Sequence, residues 1–344
     1  MSSPLVDELR RRWPGLRLTV QTSLPAHLLA SRFGAFTHVS DIPDFGLRMV
    51  SATEVDVEAS GRAYAALHAD FDAVVEREAR RLAAARPDIV LANVPYVTVA
   101  AAARAGIPVV AFSSLNWADM FAATLRSIPD AARIEAEIRA AYAQASVFLR
   151  CTPGQEMTLP NLCDVGLVAS AGTSRGSELA AILGAERVGL VAFGGLDLEI
   201  DLARWPVMAG WHWLTTLPNV PSRPDLSSWE RPGMGFRDLI ASAAVVVTKP
   251  GYGTFSEAAL VGTPVVYLPR PGWPECPHLE NWLDQHTRIL EVAMDDLLSP
   301  DLGLLLQKLF FQPERPLARP DGVGRAANAV EAVLAGKGVA CGRS

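Results

Sequence analysis

The residues best suited to chemistry lie in "TKPGYGTFSEAALVGTPVVYLPR", residues 248 to 270. Its glycines at 251 and 253 let the backbone turn sharply and expose N–H groups. A helix starting at Thr254 then presents the positive end of its dipole to whatever sits in the turn. An anion would be held there without a metal ion. The same residues also have a purely structural use, because Thr254 and Glu257 stand at the spacing of a capping box, which needs no ligand. A second glycine turn, Gly194 and Gly195 in "LVAFGGLDLE", follows another strand of the same half. In open α/β sheets ligands lie outside the carboxyl ends of the strands, so the two turns converge on one crevice and point to a phosphorylated ligand. Next, "LPRPGWPECPHLENWL" crowds Arg270, Glu275, His278, Glu280 and Asn281 into a proline-rich loop over that crevice. Such groups could hydrogen-bond sugar hydroxyls or a diphosphate, although Glu280 reads better as the start of a solvated helix.

Other candidates carry less. His27, His38, His68, His212 and His286 have no partner pattern. The loop "SDIPDFG", with Asp41 and Asp44, reads either as a carboxylate-bearing loop over a cleft or as an ordinary turn. No Gly-x-Ser-x-Gly, Walker A or His-Glu-x-x-His run occurs, which excludes serine hydrolases, P-loop kinases and zinc proteases of those types. Cys151, Cys163, Cys276 and Cys341 form no Cys-x-x-Cys pair and have no histidine at zinc-ligand spacing, so neither a metal site nor a disulfide framework is expected. A reducing, cytoplasmic setting follows. The net charge of -6 comes without basic blocks, which argues against nucleic acid. "MSSPLVDELRRRW" lacks a signal pattern, and the longest apolar stretch is broken by Arg104, Gly106 and Pro108. No transmembrane segment and no export are expected, and peripheral membrane contact stays open.

The elements that must position these residues follow from the pattern. At 344 residues, with 50% apolar and 20% charged, the chain suits two globular domains. Short β-branched runs alternate with alanine- and leucine-rich helical stretches, the signature of βαβ units on parallel sheets. The expected strands are "LRLTVQ", "DIVLAN", "IPVVAFS" and "ASVFLR", then "RVGLVAF", "WHWLTT", "AAVVVT" and "TPVVYLP". One long helix is expected from about Ser60 to Ala85, ended by Pro87. Helix, glycine, proline and buried strand recur in "AARAGIPVVAF" and "EAALVGTPVVYLP", a weak echo between the halves. The irregular run at 151–166 suggests a change of domain near Leu159. This gives an amino-terminal domain 1–158, a carboxyl-terminal domain 159–320 and a terminal helix and tail 321–344. The long stretch "LPNVPSRPDLSSWERPGMGF" reads as a functional loop.

Taken together, "RPDIVLANVPYVTVAAAARAGIPVVAFSSLNWADMF", "VGLVAFGG", "FRDLIASAAVVVTKPGYGTFSEAALVGTPVVYLPR" and "PECPHLENWL" resemble the GT-B glycosyltransferase family. The likeness is to the branch of MurG-like enzymes and of the glycosyltransferase-like amino-terminal half of plant arabinokinases. The resemblance implies an α/β protein of two Rossmann-like domains facing across a cleft, acting as a hexosyl- or related transferase. A UDP-, dTDP- or GDP-sugar donor would sit mainly on the carboxyl-terminal domain. Gly194, Gly195, Gly251, Gly253 and Thr254 would approach the diphosphate, Glu257 would take the ribose hydroxyls, and Arg270, Glu275 and His278 would lie near the donor sugar. An unknown acceptor would meet Asn93, Pro95, Asn116, Trp117 and Asp119. No metal or other cofactor is expected. The catalytic base is unassigned, with Asp119 and His278 as candidates. The chain departs from the family at its start, where "SSPLVDELRRRWPG" matches the helix after a first strand and glycine-histidine turn; we therefore expect a native start upstream of Met1. A sugar-nucleotide epimerase of the same fold and a catalytically silent sugar-nucleotide binder are the alternatives.

Overall fold

A computed structural model describes residues 1–194 and 200–341. The chain divides into two compact units, the first built from residues 1–48, 56–168 and those from Pro320 on, the second from residues 49–55 and 169–319.

The first unit runs α1 (Ser2–Arg12), β1 (Thr19–Gln21), α2 (Ala26–Phe33), β2 (Thr37–Val39), α3 (Val57–Leu67), α4 (Phe71–Ala85), β3 (Val90–Ala92), α5 (Tyr96–Arg104), β4 (Val109–Ser113), α6 (Trp117–Thr124), α7 (Ala131–Ala143), β5 (Val147–Cys151) and β6 (Leu162–Gly166). All pairings are parallel, in one sheet of order β3-β4-β5-β6 and a separate pair β1-β2. β4 is buried at every position, the continuous apolar run that a parallel sheet covered on both faces requires. α5 is buried from Tyr96 to Ala102, its alanines allowing close approach to α4. The helix expected over Ser60–Ala85 is two helices. A 3₁₀ turn at His68–Asp70 separates them, and the Asp70 carboxylate accepts from Ala73 N–H to start α4 afresh.

The second unit runs α8 (Gly176–Leu183), β7 (Arg187–Val191), β8 (Trp211–Thr215), β9 (Leu226–Ser228), α9 (Phe236–Ser242), β10 (Val245–Thr248), α10 (Tyr252–Val261), β11 (Val265–Tyr267), α11 (Cys276–Leu283), β12 (Ile289–Glu291), α12 (Met294–Leu297) and α13 (Leu302–Phe311). Its six strands are all parallel, in the order β12-β11-β10-β7-β8-β9. The chain therefore lays down β7, β8 and β9 outward in one direction, then crosses back to place β10, β11 and β12 on the other side of β7. Trp205, Trp213, Phe193, Val245, Val247 and Val266 are among the side chains that fill one face of this sheet.

From Pro320 the chain returns to the first unit, where α14 (Gly322–Leu334) packs on α1 and β6. Gly322 N–H donates to Leu167 O at 2.9 Å, and a β-carbon at 322 would come within 2.7 Å of the Gly166 backbone, so the approach needs glycine. Arg12 ties the packed helices through Glu331 at 2.9 Å. The return places Cys341 beside Cys163, and the two form a disulfide. This corrects the expectation that the cysteines signal no disulfide; Cys151 and Cys276 are buried and take no part in the bond.

All eight expected strands form. β2, β6, β9 and β12 are additional. Because Leu162–Gly166 is a strand of the first sheet, the division of the chain falls at Val168 rather than near Leu159, and the terminal helix belongs to the first unit instead of standing apart. Among the described residues no helix is long and apolar enough to cross a membrane.

Candidate functional site

The order of the second sheet reverses between β7 and β10, and the crevice outside the carboxyl ends at such a switch point is where open α/β sheets bind ligands. β7 and β10 are hydrogen-bonded neighbours, with Val191 opposite Val247 and Ala192 N–H donating to Val247 O at 2.8 Å. Gly194 and Gly251 thus leave adjacent strands at the same edge. Gly194 has φ +76, a conformation that favours glycine, and a β-carbon there would meet no described residue within 4 Å. Gly195 lies outside the described residues.

The turn into α10 differs from the expectation. The helix starts at Tyr252, with Gly251 as its N-cap in an extended conformation and no side-chain cap. Thr254 therefore lies inside the first turn, and the Thr254–Glu257 capping box does not form. The backbone itself does not require Gly251 or Gly253. Gly251 has φ -171, open to any residue, and a β-carbon on Gly253 would meet no described residue within 4 Å. Glycine inside a helix is unfavourable by roughly 0.5–1 kcal/mol relative to alanine, so Gly253 is a cost that no contact among the described residues explains. The N–H groups of Gly253 and Thr254 have no hydrogen-bond partner among the described residues; the first backbone bond into the helix is Phe255 N–H to Gly251 O at 3.1 Å. Amides without a partner among the described residues, at the positive end of a helix dipole, are the groups with which a helix end can hold an anion.

Glu257 faces another way. It is buried, and its carboxylate accepts from Arg237 Nε on α9 at 3.3 Å. Replacing Glu257 by alanine is expected to lower stability by about 1–3 kcal/mol, because a half-buried guanidinium loses an acceptor. If the carboxylate also receives ribose hydroxyls, nucleotide affinity falls more than tenfold as well. Melting curves and calorimetry on the one variant separate the two roles, and a purely thermal loss restricts Glu257 to the ion pair.

Past β11, Arg270 is 8% exposed, with its guanidinium carbon 3.6 Å from the centre of the Trp273 ring. Trp273 Nε1–H donates to Glu275 Oε2 at 3.3 Å, and Glu275 is buried. Lys249, in the turn between β10 and Gly251, lies within electrostatic reach of Arg270, Cys276 and Glu275; burial, then the Arg270 charge, pushes its ammonium down to about 8. Burial pushes the Cys276 thiol up to about 12, so it stays neutral. Lys249 was not singled out in the sequence, where one lysine in a turn looks like any other. His278 is half-exposed and joins none of these contacts.

In the first unit, a cavity of about 330 Å³ is lined by Gln21, Asp44, Asn93, Pro95, Thr98 and Trp117 among others. Asp44 is buried, and its Oδ2 accepts from Val97 N–H at the start of α5 at 2.8 Å. Among the described residues no cation offsets the burial. The carboxyl is pushed up to about 7 by desolvation, with the charge of Glu78 adding to the rise and the Val97 and Tyr96 amides opposing it. Thr98 Oγ1, also buried, has no hydrogen-bond partner among the described residues. Asn93, Pro95 and Trp117 meet at this cavity, whereas Asn116 and Asp119 do not line it. Asn116 caps α6 by accepting from Asp119 N–H at 2.9 Å, and Asp119 pairs with Arg139 at 2.6 Å, so the Asp119 carboxylate is occupied structurally. His68 is equally committed, between Glu137 at 2.7 Å and Tyr96 Oη at 3.0 Å. Among the described residues no cluster of three or more histidine, cysteine or acidic side chains is placed to hold a metal ion.

Two Rossmann-like α/β units on parallel sheets, the second with a switch point and glycine turns at its carboxyl edge, define the GT-B fold. Solved structures agree. The calicheamicin glycosyltransferase CalG4 is similar with a TM-score of 0.62 and 17% identity, over 97% of this chain and 94% of that one. A protein described as a UDP-N-acetylglucosamine 2-epimerase, from Listeria monocytogenes, is similar with a TM-score of 0.55 and 13% identity, over 97% and 93%. At these identities the likeness shows the fold. In sequence, L-arabinokinase of Arabidopsis thaliana is 29% identical over 237 residues, 65% of this chain and 22% of the arabinokinase, so the chain spans about a fifth of that relative. No family model matches the chain.

Proposed function

We propose that the protein transfers a sugar from a nucleoside diphosphate sugar to an acceptor, with the donor on the second unit and the acceptor at the cavity of the first. The observation that carries the reading is the pair of unengaged amides, Gly253 and Thr254, at the amino end of α10 beside the switch point. Charge builds on the leaving diphosphate as the anomeric bond breaks, and preorganised N–H groups at a helix end stabilise it. Metal-independent transfer is part of the proposal, since these amides and the nearby cations Lys249 and Arg270 supply positive potential themselves. Asp44 is the base in this reading. A carboxyl near pKa 7, without a cation partner and at a cavity with the unpartnered Thr98 hydroxyl, is matched to taking a proton from an acceptor hydroxyl. It replaces Asp119 and His278 in that role.

The fold alone does not decide between chemistries, because a glycosyltransferase and a 2-epimerase both share it. An epimerase should bring several carboxylates to the sugar. Among the described residues, Glu275 is the acid whose charge acts on Arg270, and Glu280 acts on the neighbouring Cys276. Calorimetry with uridine, thymidine and guanosine diphosphates tests binding, and product analysis with the matching diphosphate sugars tests transfer. Micromolar binding with sugar appearing on an added acceptor is the expected result. Absence of binding to every diphosphate defeats the reading, and binding with sugar isomerisation moves it to the epimerase.

A further inference from the structure

His68 is a buried titratable group that the proposed chemistry leaves unused. It sits between α3 and α4 with its side chain fully shielded, in the middle of a continuous hydrogen-bond chain. Nδ1 lies 2.7 Å from Glu137 Oε2, and Nε2 lies 3.0 Å from Tyr96 Oη. A carboxylate only accepts, so Glu137 fixes the proton on Nδ1, and Nε2 must then accept from the Tyr96 hydroxyl. Burial pushes the imidazole below its usual range against the pull of Glu137, which keeps it neutral at pH 7. The ring plane is fixed as well, stacked on Phe71 with centroids 4.7 Å apart and on Tyr96 at 5.7 Å. At its outer end the chain reaches Arg133, whose Nη1 donates to Glu137 Oε1 at 2.8 Å, and opens on a second cavity of about 360 Å³. Its inner end is the first residue of α5, Tyr96, and Pro95 before it supplies no side-chain cap. The amides of Tyr96 and Val97 are met instead by the Asp44 carboxylate. The seat of that turn therefore decides where the carboxylate sits and how firmly it is held.

Resting on the reading of Asp44 as the base, we propose that Glu137, His68 and Tyr96 form a positioning chain that holds the first turn of α5 against Asp44. None of the three lines the acceptor cavity, so each acts on the chemistry only through Asp44. Loss of the tyrosine hydroxyl or of the Glu137 charge slackens the turn, weakens the amide bonds to the carboxylate and makes Asp44 harder to ionise. The other titratable groups that act with Asp44 are Glu78 on α4, Tyr64 on α3 and Tyr142 on α7, and they stay in place when the chain is cut. Around His68 the charged groups are Glu137 and Arg133 on α7, with Asp70, Asp72 and Arg104 lining the same cavity.

The test is the titration of Asp44 in the ligand-free protein, followed by carbon-13 NMR of labelled aspartate carboxyls and assigned by the signal that Asp44→Asn removes. Against wild type, the midpoint in Tyr96→Phe and in Glu137→Gln should rise by at least about half a pH unit, as weakened hydrogen bonds to a carboxylate require. The pH at which transfer reaches half its maximal rate should move in the same direction, with diphosphate affinity unchanged. Phe71→Leu removes a stacking partner of His68 and none of the bonds, so it should lower the melting temperature and leave the midpoint where wild type has it. A midpoint unmoved in both chain variants overturns the proposal. So does an equal shift in Phe71→Leu, which reduces His68 to core packing. Should Tyr96→Phe not fold, Glu137→Gln at the more exposed end decides alone. Failure of the underlying reading looks different. A wild type that transfers no sugar, or an Asp44→Asn variant of undiminished rate, removes the base, while the carboxyl titration still decides whether the chain holds Asp44.

Discussion

Gly253→Asp is expected to stabilise the ligand-free protein while nearly abolishing nucleotide binding. The position is in the first turn of α10, its φ is ordinary, and a β-carbon there meets no described residue within 4 Å. A carboxylate in the first turn of a helix interacts favourably with the dipole by about 0.3–1 kcal/mol, and replacing a helical glycine adds several tenths more. The same carboxylate would occupy the space assigned to a phosphate. Two like charges about 4 Å apart at an effective dielectric near 20 repel by roughly 4 kcal/mol, a loss of affinity on the order of a thousandfold. Few substitutions move stability and binding in opposite directions, so the result is diagnostic. Melting temperature without ligand and calorimetry with the best diphosphate read the two effects. Retained affinity would show that the open amides face no phosphate.

The second large effect belongs to Asp44→Asn. Transfer should fall by roughly 10²–10⁴, the usual contribution of a general base, while diphosphate affinity stays as in wild type because the substitution lies in the other unit. The amide oxygen can still accept from Val97 N–H, so the start of α5 is preserved. pH provides a further signature. In the wild type, the transfer rate should rise as the carboxylate forms around pH 7. Stability should run the other way. The folded carboxyl holds its proton up to about 7 and the unfolded one only to about 3.8, so between these values the folded state binds more protons and stability falls as pH rises. The asparagine variant should lose both slopes. A wild-type rate that is flat across pH 6–8, or a variant of undiminished rate, removes Asp44 from the chemistry.

Parts of this arrangement could be read directly from the residues. "AAVVVT" and "TPVVYLP" are apolar and β-branched, too short for helices and bounded by glycine and proline, so their place as buried parallel strands is legible. The glycine turns at their ends are equally visible. The length of α10 was less so: Thr254 and Glu257 fit a capping box on paper, but the apolar Tyr252 and Phe255 draw the helix start earlier, onto the core. β2, β9 and β12 each span three residues of mixed polarity, and their pairing is set by neighbouring strands rather than by their own pattern. β6 was hidden in a proline- and glycine-interrupted run. Lys249 and Asp44 illustrate a different limit. A lysine in a turn and an aspartate beside a proline carry no mark of burial, and burial is what gives each its chemistry. Cys163 and Cys341 stand 178 residues apart, so no local spacing signals the bond that the return of α14 permits.

Because residues 169–319 lie between two segments of the first unit, the second unit, which also takes in residues 49–55, is an insert with both ends of its main segment spliced into its host. Exchanging specificity with a relative by one crossover near position 168 would therefore deliver a foreign α14 along with the foreign sheet. A graft of 169–319 with two junctions keeps α14, the Arg12–Glu331 bridge and the Cys163–Cys341 bond with their own partners. Chimaeras built in that way should stay soluble where single-crossover ones precipitate.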